Sequence, residues 1–522
     1  MKLRLSGHDY KYAVEQIMLA LFPEERPEYV SPGAESACDA DMLLYAEALQ
    51  PISGESEGLP AQPSGLAGLS AVSRLSYGGV YAQAITTIQR GNDISRGYAR
   101  VKRARLTGKL VADRQLQRIV KQSFFKAAAC FLDSPPVWGS LTGIRPAQLA
   151  AAALKTGKSE KSAAKFLVRE YRVSPERAGL CVDAARSALN MKRSLEPMDI
   201  ALYVGIPFCP SRCAYCSFVS NDVEKSFGLI DPFVQTLLRE IDAAAALVSE
   251  LGLRVIAVYF GGGTPTALPA EALGAIMQAL GNSIDLTRQR EYTVEAGRPD
   301  TITEEKLEVM SKSGAKRACV NPQSMSRDVL KAIGRRHTPE DVLEAVRLVR
   351  LKGMSLNMDV IAGLPGDTPQ GFRRTLDTVV SLNPENITVH TLSLKKGSRI
   401  MLEGAEKPGG ADVADMLGYA SGRLRENNLL PYYLYRQKFT SGGFENIGWC
   451  LPGFEGAYNI CMMEELCTVL ALGGGAVTKL VSPGGRIERI FNAKYPKEYI
   501  LQSDKLDCKI DRIKTFYHTH CL

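Results

Sequence analysis

Leu202-Tyr-Val-Gly-Ile206-Pro-Phe-Cys209-Pro-Ser-Arg-Cys213-Ala-Tyr-Cys216 is the stretch whose reading decides the fold. Its first half, Leu202–Ile206, is a short apolar run rich in β-branched residues, and Pro207 ends it in a loop that carries three cysteines. Five more such runs follow: Val255–Phe260, Tyr292–Glu295, Arg317–Val320, Leu356–Ile361 and Asn386–His390. Amphipathic segments of helical length separate them, so the texture predicts parallel βα units. The helix signals are explicit. Thr338 and Pro339 form an N-cap with proline at the first helical position, Val342, Ala345, Val346 and Val349 make an apolar stripe, and Gly353 stops it. Thr368-Pro369 repeats the start. An α/β fold with a six-unit open barrel, and a site at the C-terminal ends of its strands, is the expected core. A doubly wound open sheet has the same alternation.

Three thiolates spaced by four and then three residues can wrap one corner of an iron–sulfur cube and leave its fourth iron without a protein ligand. A cofactor bearing an amino and a carboxylate group, such as S-adenosylmethionine, can chelate that iron, where an electron cleaves its sulfonium to a 5′-deoxyadenosyl radical. Structural zinc is the competing reading, but it usually takes four ligands in paired short spacings, and no second pair lies nearby. The second strand runs into Gly261-Gly-Gly-Thr-Pro265, where residues without a Cβ would let backbone groups approach a ligand. Glu295 ends the third strand and Asp359 stands near the end of the fifth, both suited to the hydroxyls or amine of a nucleoside. Either could equally be a solvated or capping carboxylate.

The 522 residues allow three to four domains at roughly 150 residues each. With 45% apolar and 23% charged residues the composition is globular, and no apolar stretch reaches the ~20 residues that span a bilayer. Met1–Phe22 offers only the short apolar run Ile17–Phe22, with Asp9 and Glu15 before it, which does not read as a secretory signal, and the expectation is a cytoplasmic chain with reduced cysteines. The net charge of +8 is below that of a dedicated nucleic-acid binder. It is unevenly spread, with four basic and eleven acidic residues in 1–60 and eleven basic and two acidic residues in Arg90–Lys126. The basic run reads as a solvated helix face.

The expected organisation is a small α+β unit at residues 1–50, with an acidic stretch around Glu35–Glu47, and a linker and basic segment at 51–112. A helical region follows at 113–195, then the barrel core at 196–400 and a smaller C-terminal domain at 401–522. Cys450, Cys461 and Cys467, at loose spacings of eleven and six, read as buried thiols, with a second cluster as the alternative. His518, His520 and Cys521 read as an inert tail. Arg145 and Tyr435-Arg-Gln-Lys-Phe439 suit a flat macrocycle edged with carboxylates, or a surface salt-bridge patch.

These residues resemble the radical S-adenosylmethionine enzymes and, within them, the oxygen-independent coproporphyrinogen III oxidases. The resemblance rests on the cysteine loop with Tyr215, on Tyr203-Val-Gly-Ile-Pro-Phe-Cys209, Phe260-Gly-Gly-Gly-Thr-Pro-Thr266, Thr293-Val-Glu-Ala296, Gln323, Gly334-Arg-Arg-His337 and Asp359-Val-Ile-Ala-Gly-Leu-Pro365. Trp138-Gly-Ser-Leu-Thr-Gly-Ile-Arg-Pro146 and Leu472-Gly-Gly-Gly-Ala-Val-Thr-Lys479 are similar to the HemZ-type branch. The resemblance implies that Cys209, Cys213 and Cys216 ligate a 4Fe-4S cluster, and that Tyr203, Gly262, Glu295 and Val477 touch the cluster-bound S-adenosylmethionine. Tyr215, Gly263, Thr264, Gln323, Arg335, Asp359 and, at one remove, His390 would line the place where family members hold a second molecule. Tyr215 and Arg335 are assigned to catalysis. A tetrapyrrole substrate and an electron donor such as flavodoxin or ferredoxin are implied with them. In proven oxidases a fourth cysteine follows the third by two residues and a histidine stands four before the first; here Phe218 and Gly205 occupy those places. Related haem chaperones share the missing cysteine. Coproporphyrinogen oxidation, haem delivery and radical modification of haem therefore all remain open.

Overall fold

The computed structural model describes residues 1–30, 68–216, 221–393, 398, 400, 407–437, 440–502 and 505–521. Phe218, the acidic stretch around Glu35–Glu47, most of the Gly/Pro/Ser-rich run at 51–70, and Lys438 and Phe439 lie outside the described residues. The chain divides into two compact units, residues 1–143 with 164–178 and residues 144–163 with 179–522.

The first unit holds Lys2–Ser6 (β1), Lys11–Leu21 (α1), Glu28–Tyr29 (β2), Leu69–Tyr77 (β3), Tyr81–Arg90 (β4), Asp93–Lys102 (β5) and Lys109–Ala128 (α2). Its sheet order is β2-β1-β3-β4-β5, parallel at β1 and antiparallel through β3, β4 and β5. Val14, Ile17 and Met18 of α1 and Ile119, Val120 and Phe124 of α2 share a core with Ala82, Ala84 and Ile88. The segment 51–112 is therefore not a linker over its second half, and the basic run is not one helix face. Ile94, Arg96, Tyr98, Arg100 and Lys102 are exposed and alternate with the buried Gly97, Ala99 and Val101, which is the period of a strand. Gly97 marks the packing of β5 against α2, since a Cβ there would lie 1.9 Å from the Ser123 carbonyl oxygen. Ala147–Lys155 (α3), Glu160–Tyr171 (α4) and Pro175–Ser194 (α5) continue the helical region expected from the sequence.

In the second unit six parallel strands follow one another: Asp199–Ile206 (β6), Arg254–Gly262 (β9), Glu291–Val294 (β10), Arg317–Cys319 (β11), Ser355–Ala362 (β12) and Asn386–Thr391 (β13). The minor pair Phe208–Cys209 (β7) and Asn221–Asp222 (β8) sits within the cysteine loop region. Helices Ile230–Glu250 (α6), Ala270–Ser283 (α7), Glu304–Lys312 (α8), Arg327–Ala332 (α9), Pro339–Leu351 (α10) and Pro369–Ser381 (α11) make the crossovers. Both predicted caps are present. The Asp341 amide donates to Thr338 Oγ1 at 3.3 Å and the Gly371 amide to Thr368 Oγ1 at 3.0 Å. The strand order is monotonic from β6 to β13, so there is no switch point and the core is an open (β/α)6 barrel.

The C-terminal region does not build a sheet of its own. Gly410–Glu426 (α12) leads to Leu430–Arg436 (β14) and Glu445–Cys450 (β15), which extend the sheet beyond β13. After Ala457–Glu464 (α13), Thr468–Gly473 (β16) pairs in parallel with β6, and Val477–Val481 (β17) and Ile487–Phe491 (β18) complete eleven strands. Pro496–Leu501 (α14) and Leu506–His520 (α15) end the chain. Among the described residues no helix is long and apolar enough to cross a membrane.

One buried carboxylate joins these late elements to the barrel. Glu240 of α6 accepts from Gly473 N and Lys509 Nζ at 2.7 Å each, from Asn492 Nδ2 at 2.9 Å and from the Tyr499 hydroxyl at 2.5 Å. Burial opposes its charge, but Lys509 and these donors outweigh it and hold the carboxyl below the ordinary range. A depressed carboxyl contributes stability above its unfolded pKa and loses it as pH falls through the folded value. Lys509→Met should cost about 3–5 kcal/mol of unfolding free energy at pH 7, since it strands a buried charge. The measurement is a urea titration, in which the penalty should shrink as the pH is lowered; an unchanged midpoint would contradict the role given to this network.

Candidate active site

β6 delivers Tyr203 and then the cysteine loop, and the end of β9 delivers the glycines beside it. Gly263 N donates to Ile206 O at 2.8 Å and Thr264 N to Phe208 O at 2.7 Å. The two amides are thus spent on the cysteine loop, not offered to a ligand as the sequence alone suggested. The glycines are needed for close approach. A Cβ on Gly263 would lie 2.4 Å from Phe208 O and 3.0 Å from Cys209 Sγ, while Gly262 has φ +109°. Cys209 Sγ also stands 3.5 Å from Thr264 Oγ1. Farther along the loop, Ala214 N donates to Ile333 O at 2.9 Å.

The residues that the sequence assigned to the cluster and to S-adenosylmethionine all border one cavity of about 520 Å³: the three cysteines, Tyr203, Tyr215, Gly262, Gly263, Thr264, Glu295, Gln323, Arg335, Asp359, His390 and Val477. Arg335 Nη1 donates to Asn321 O at 2.6 Å and Gly297 O at 3.2 Å, and Nη2 to the Tyr215 hydroxyl at 3.2 Å. Burial pushes the Tyr215 hydroxyl well above its ordinary range. Gln323 adopts φ +64°, bridges to β12 through Gln323 N→Asp359 O at 3.0 Å, and has a buried Oε1 without a protein partner. Asn321 Oδ1 is in the same condition.

Glu295 and Asp359 both border the cavity, each with its own partners. Glu295 Oε1 accepts from the Tyr259 hydroxyl at 2.5 Å. Burial pushes its carboxyl up to about 7; Asp359 adds to the push, while Tyr259 and His390 oppose it. Asp359 Oδ1 accepts from Asn357 Nδ2 at 3.0 Å, and Oδ2 lies 3.6 Å from His390 Nε2. Burial works against a charged His390, yet Asp359 outweighs it and holds the imidazole above its ordinary range.

Sequence reasoning missed the aromatic wall. Tyr259 of β9 stacks on Tyr458 of α13 with ring centroids 4.3 Å apart, and Tyr203 stacks on both. Tyr458 arrives from more than 150 positions away, and only the sheet order places it here. Arg298, two residues beyond Ala296, was also passed over. Other assignments are corrected. Arg145 pairs with Glu465 at 2.5 Å, and Arg436 Nη2 donates to Gly443 O at 2.9 Å; neither borders the cavity, because each guanidinium is engaged elsewhere. Tyr435 and Gln437, their neighbours, do border it. Cys461 and Cys467 share one buried core cluster and Cys450 another, consistent with thiols used for packing.

Among the described residues, no three thiol, imidazole or carboxylate groups converge as a single metal ion demands. A cubic cluster spreads its ligands over separate irons, so three half-buried thiols bordering one cavity suit it better than zinc. The orphaned Gln323 and Asn321 oxygens call for donor groups, which a nucleoside with an amino group carries. Gly263→Val should abolish iron loading by displacing Phe208 and Cys209, while Glu295→Gln should load normally. Iron and sulfide assays after anaerobic reconstitution check this, with circular dichroism confirming the fold of each variant.

The profile described as Radical SAM superfamily matches residues 203–379. The oxygen-independent coproporphyrinogen-III oxidase-like protein HemZ of Bacillus subtilis is 40% identical over 370 residues, covering 69% of this chain and 74% of its own. The heme chaperone HemW of Haemophilus influenzae is 27% identical over 325 residues, covering 61% and 81%. A solved structure of coproporphyrinogen III oxidase (HemN) from Escherichia coli aligns at 20% identity with a TM-score of 0.48, over 64% of this chain and 78% of that one. The cofactors are those of the superfamily, a 4Fe-4S cluster and S-adenosylmethionine. With the cysteine loop and its barrel in place, the 40% identity across most of both chains makes this chain a member of the radical S-adenosylmethionine superfamily, in its haem-related, HemZ-like group.

Proposed function

We propose that the chain catalyses the oxygen-independent oxidative decarboxylation of coproporphyrinogen III to protoporphyrinogen IX. The observation that carries this reading is the single cavity bordered both by the three cysteines and by strand-end acids and amides. Cys209, Cys213 and Cys216 would hold the cluster. When bound, cluster and S-adenosylmethionine supply a 5′-deoxyadenosyl radical. Glu295, Tyr203, Gly262 and Val477 are assigned to the first S-adenosylmethionine. Gln323, Asp359, Gly263, Thr264 and His390 are assigned to a second, whose amine and hydroxyls would satisfy the buried oxygens. Arg335, pinned by two backbone carbonyls, orients Tyr215 and the carboxylate-bearing substrate. The stacked tyrosines keep water from the reacting carbon. Each turnover removes a hydrogen atom from a propionate β-carbon, releases carbon dioxide and passes one electron to an external acceptor, leaving a vinyl group.

Haem delivery is the second reading, favoured by the likeness to proteins named heme chaperones and by Phe218 in place of a fourth cysteine. Anaerobic incubation of the reconstituted protein with coproporphyrinogen III, S-adenosylmethionine and a reductant separates the two by mass spectrometry. Protoporphyrinogen is expected. Stoichiometric haem binding with transfer to an apo-acceptor and no carbon dioxide release would replace the first reading with the second.

Arg335→Ala should lower turnover about 100-fold with the cluster retained, because misplacing reacting groups by an ångström has that effect. Glu295 gives a pH signature. A carboxyl near 7 gains a proton as pH falls, so affinity for the cationic cofactor should weaken between pH 8 and 6. Calorimetry should find that dependence flattened in Glu295→Gln.

A further inference from the structure

We propose that Arg298 is a positioning residue for the cluster, tuning its reduction potential through Cys213. The proposal rests on the cluster reading given above and adds a residue to which no role has been assigned.

Arg298 follows the Glu295 strand end and is only 2% exposed, one of the largest fully buried side chains. Two of its three nitrogens form a fork on Asp300, Nε to Oδ1 and Nη2 to Oδ2 at 3.0 Å each. The third turns to the cysteine loop: Nη1 donates to Ser211 Oγ at 3.1 Å and Ser211 O at 3.2 Å, and lies 3.9 Å from Cys213 Sγ. Asp300 thus fixes the plane of the guanidinium, and Ser211 fixes its reach. Arg335 lies within electrostatic reach of the same sulfur. Cys213 is therefore addressed by two buried guanidiniums.

The sign of the effect follows from charge. An N–H donor and a positive charge withdraw electron density from a ligating sulfur and favour the cluster state with the extra electron. Both act in an interior where charges are poorly screened. Removing Arg298 also leaves the Asp300 charge uncompensated, which pushes the same way. Loss of Arg298 should make the cluster harder to reduce.

The test uses the full chain, reconstituted without oxygen, as parent, R298M and R298K. Iron and sulfide are assayed, and midpoint potentials are read by redox titration followed by electron paramagnetic resonance. R298M is expected to load like the parent and to show a tenfold lower reduced-to-oxidised ratio at a fixed poise, about 59 mV for one electron. R298K keeps the charge without the fork and should fall between. A fully loaded R298M with the parental midpoint would overturn the proposal. If R298M takes up no iron, a loaded R298K decides: a lowered midpoint supports the proposal and a parental one overturns it. If both variants fold but load nothing, Arg298 builds the loop and does not tune the cluster, which also overturns it. A parent without four irons would instead defeat the cluster reading itself.

Discussion

Two backbone hydrogen bonds, Gly263 to Ile206 and Thr264 to Phe208, hold the cysteine loop against the end of the second barrel strand. They require that position 263 carry no side chain, because any Cβ would occupy the space of the Phe208 carbonyl. The rest of the site follows from this approach. The loop is held again at Ala214 by the Ile333 carbonyl and at Ser211 by Arg298, so three separate crossover ends fix one short segment. A loop held only by its own turns could not keep three thiols at one cavity, since each residue ordered costs about 1–2 kcal/mol of backbone entropy.

The open barrel leaves its first and last strands unpaired with each other, and exposed strand edges invite other chains. Here the C-terminal strands take both edges: β15 and β14 beyond β13, and β16, β17 and β18 beyond β6. The same arrangement brings Tyr458, Tyr435 and Val477 to the cavity. Closing the edges and walling the site are thus one structural event. Glu240 ties that closure to α6 with four donors around one carboxylate.

Burial also sets the chemistry of the acids. Glu295 and Asp359 border the same cavity, and desolvation, with Asp359 adding to it, pushes the Glu295 carboxyl up to about 7. The arginines respond differently: Arg298 spreads all three nitrogens over Asp300 and Ser211, while Arg335 places its two terminal nitrogens on two backbone carbonyls and the Tyr215 hydroxyl and leaves Nε buried without a protein partner.

The sequence by itself determined the six barrel strands, the two threonine caps, the cysteine loop and the acids at strand ends, because each is a local pattern of period, cap or spacing. It misjudged Asp93–Lys102, where charge was read as a helix face although the alternation had the period of a strand. It misjudged Gly263, because whether an amide meets a ligand or a neighbouring loop depends on what packs beside it. Tertiary structure alone decided that the C-terminal strands join the barrel sheet, that Tyr458 stacks on Tyr259, that Arg145 and Arg436 are engaged away from the cavity, and that Arg298 reaches Cys213. Each of these is a contact between residues far apart in the chain, and strand order, which no local pattern encodes, brings them together.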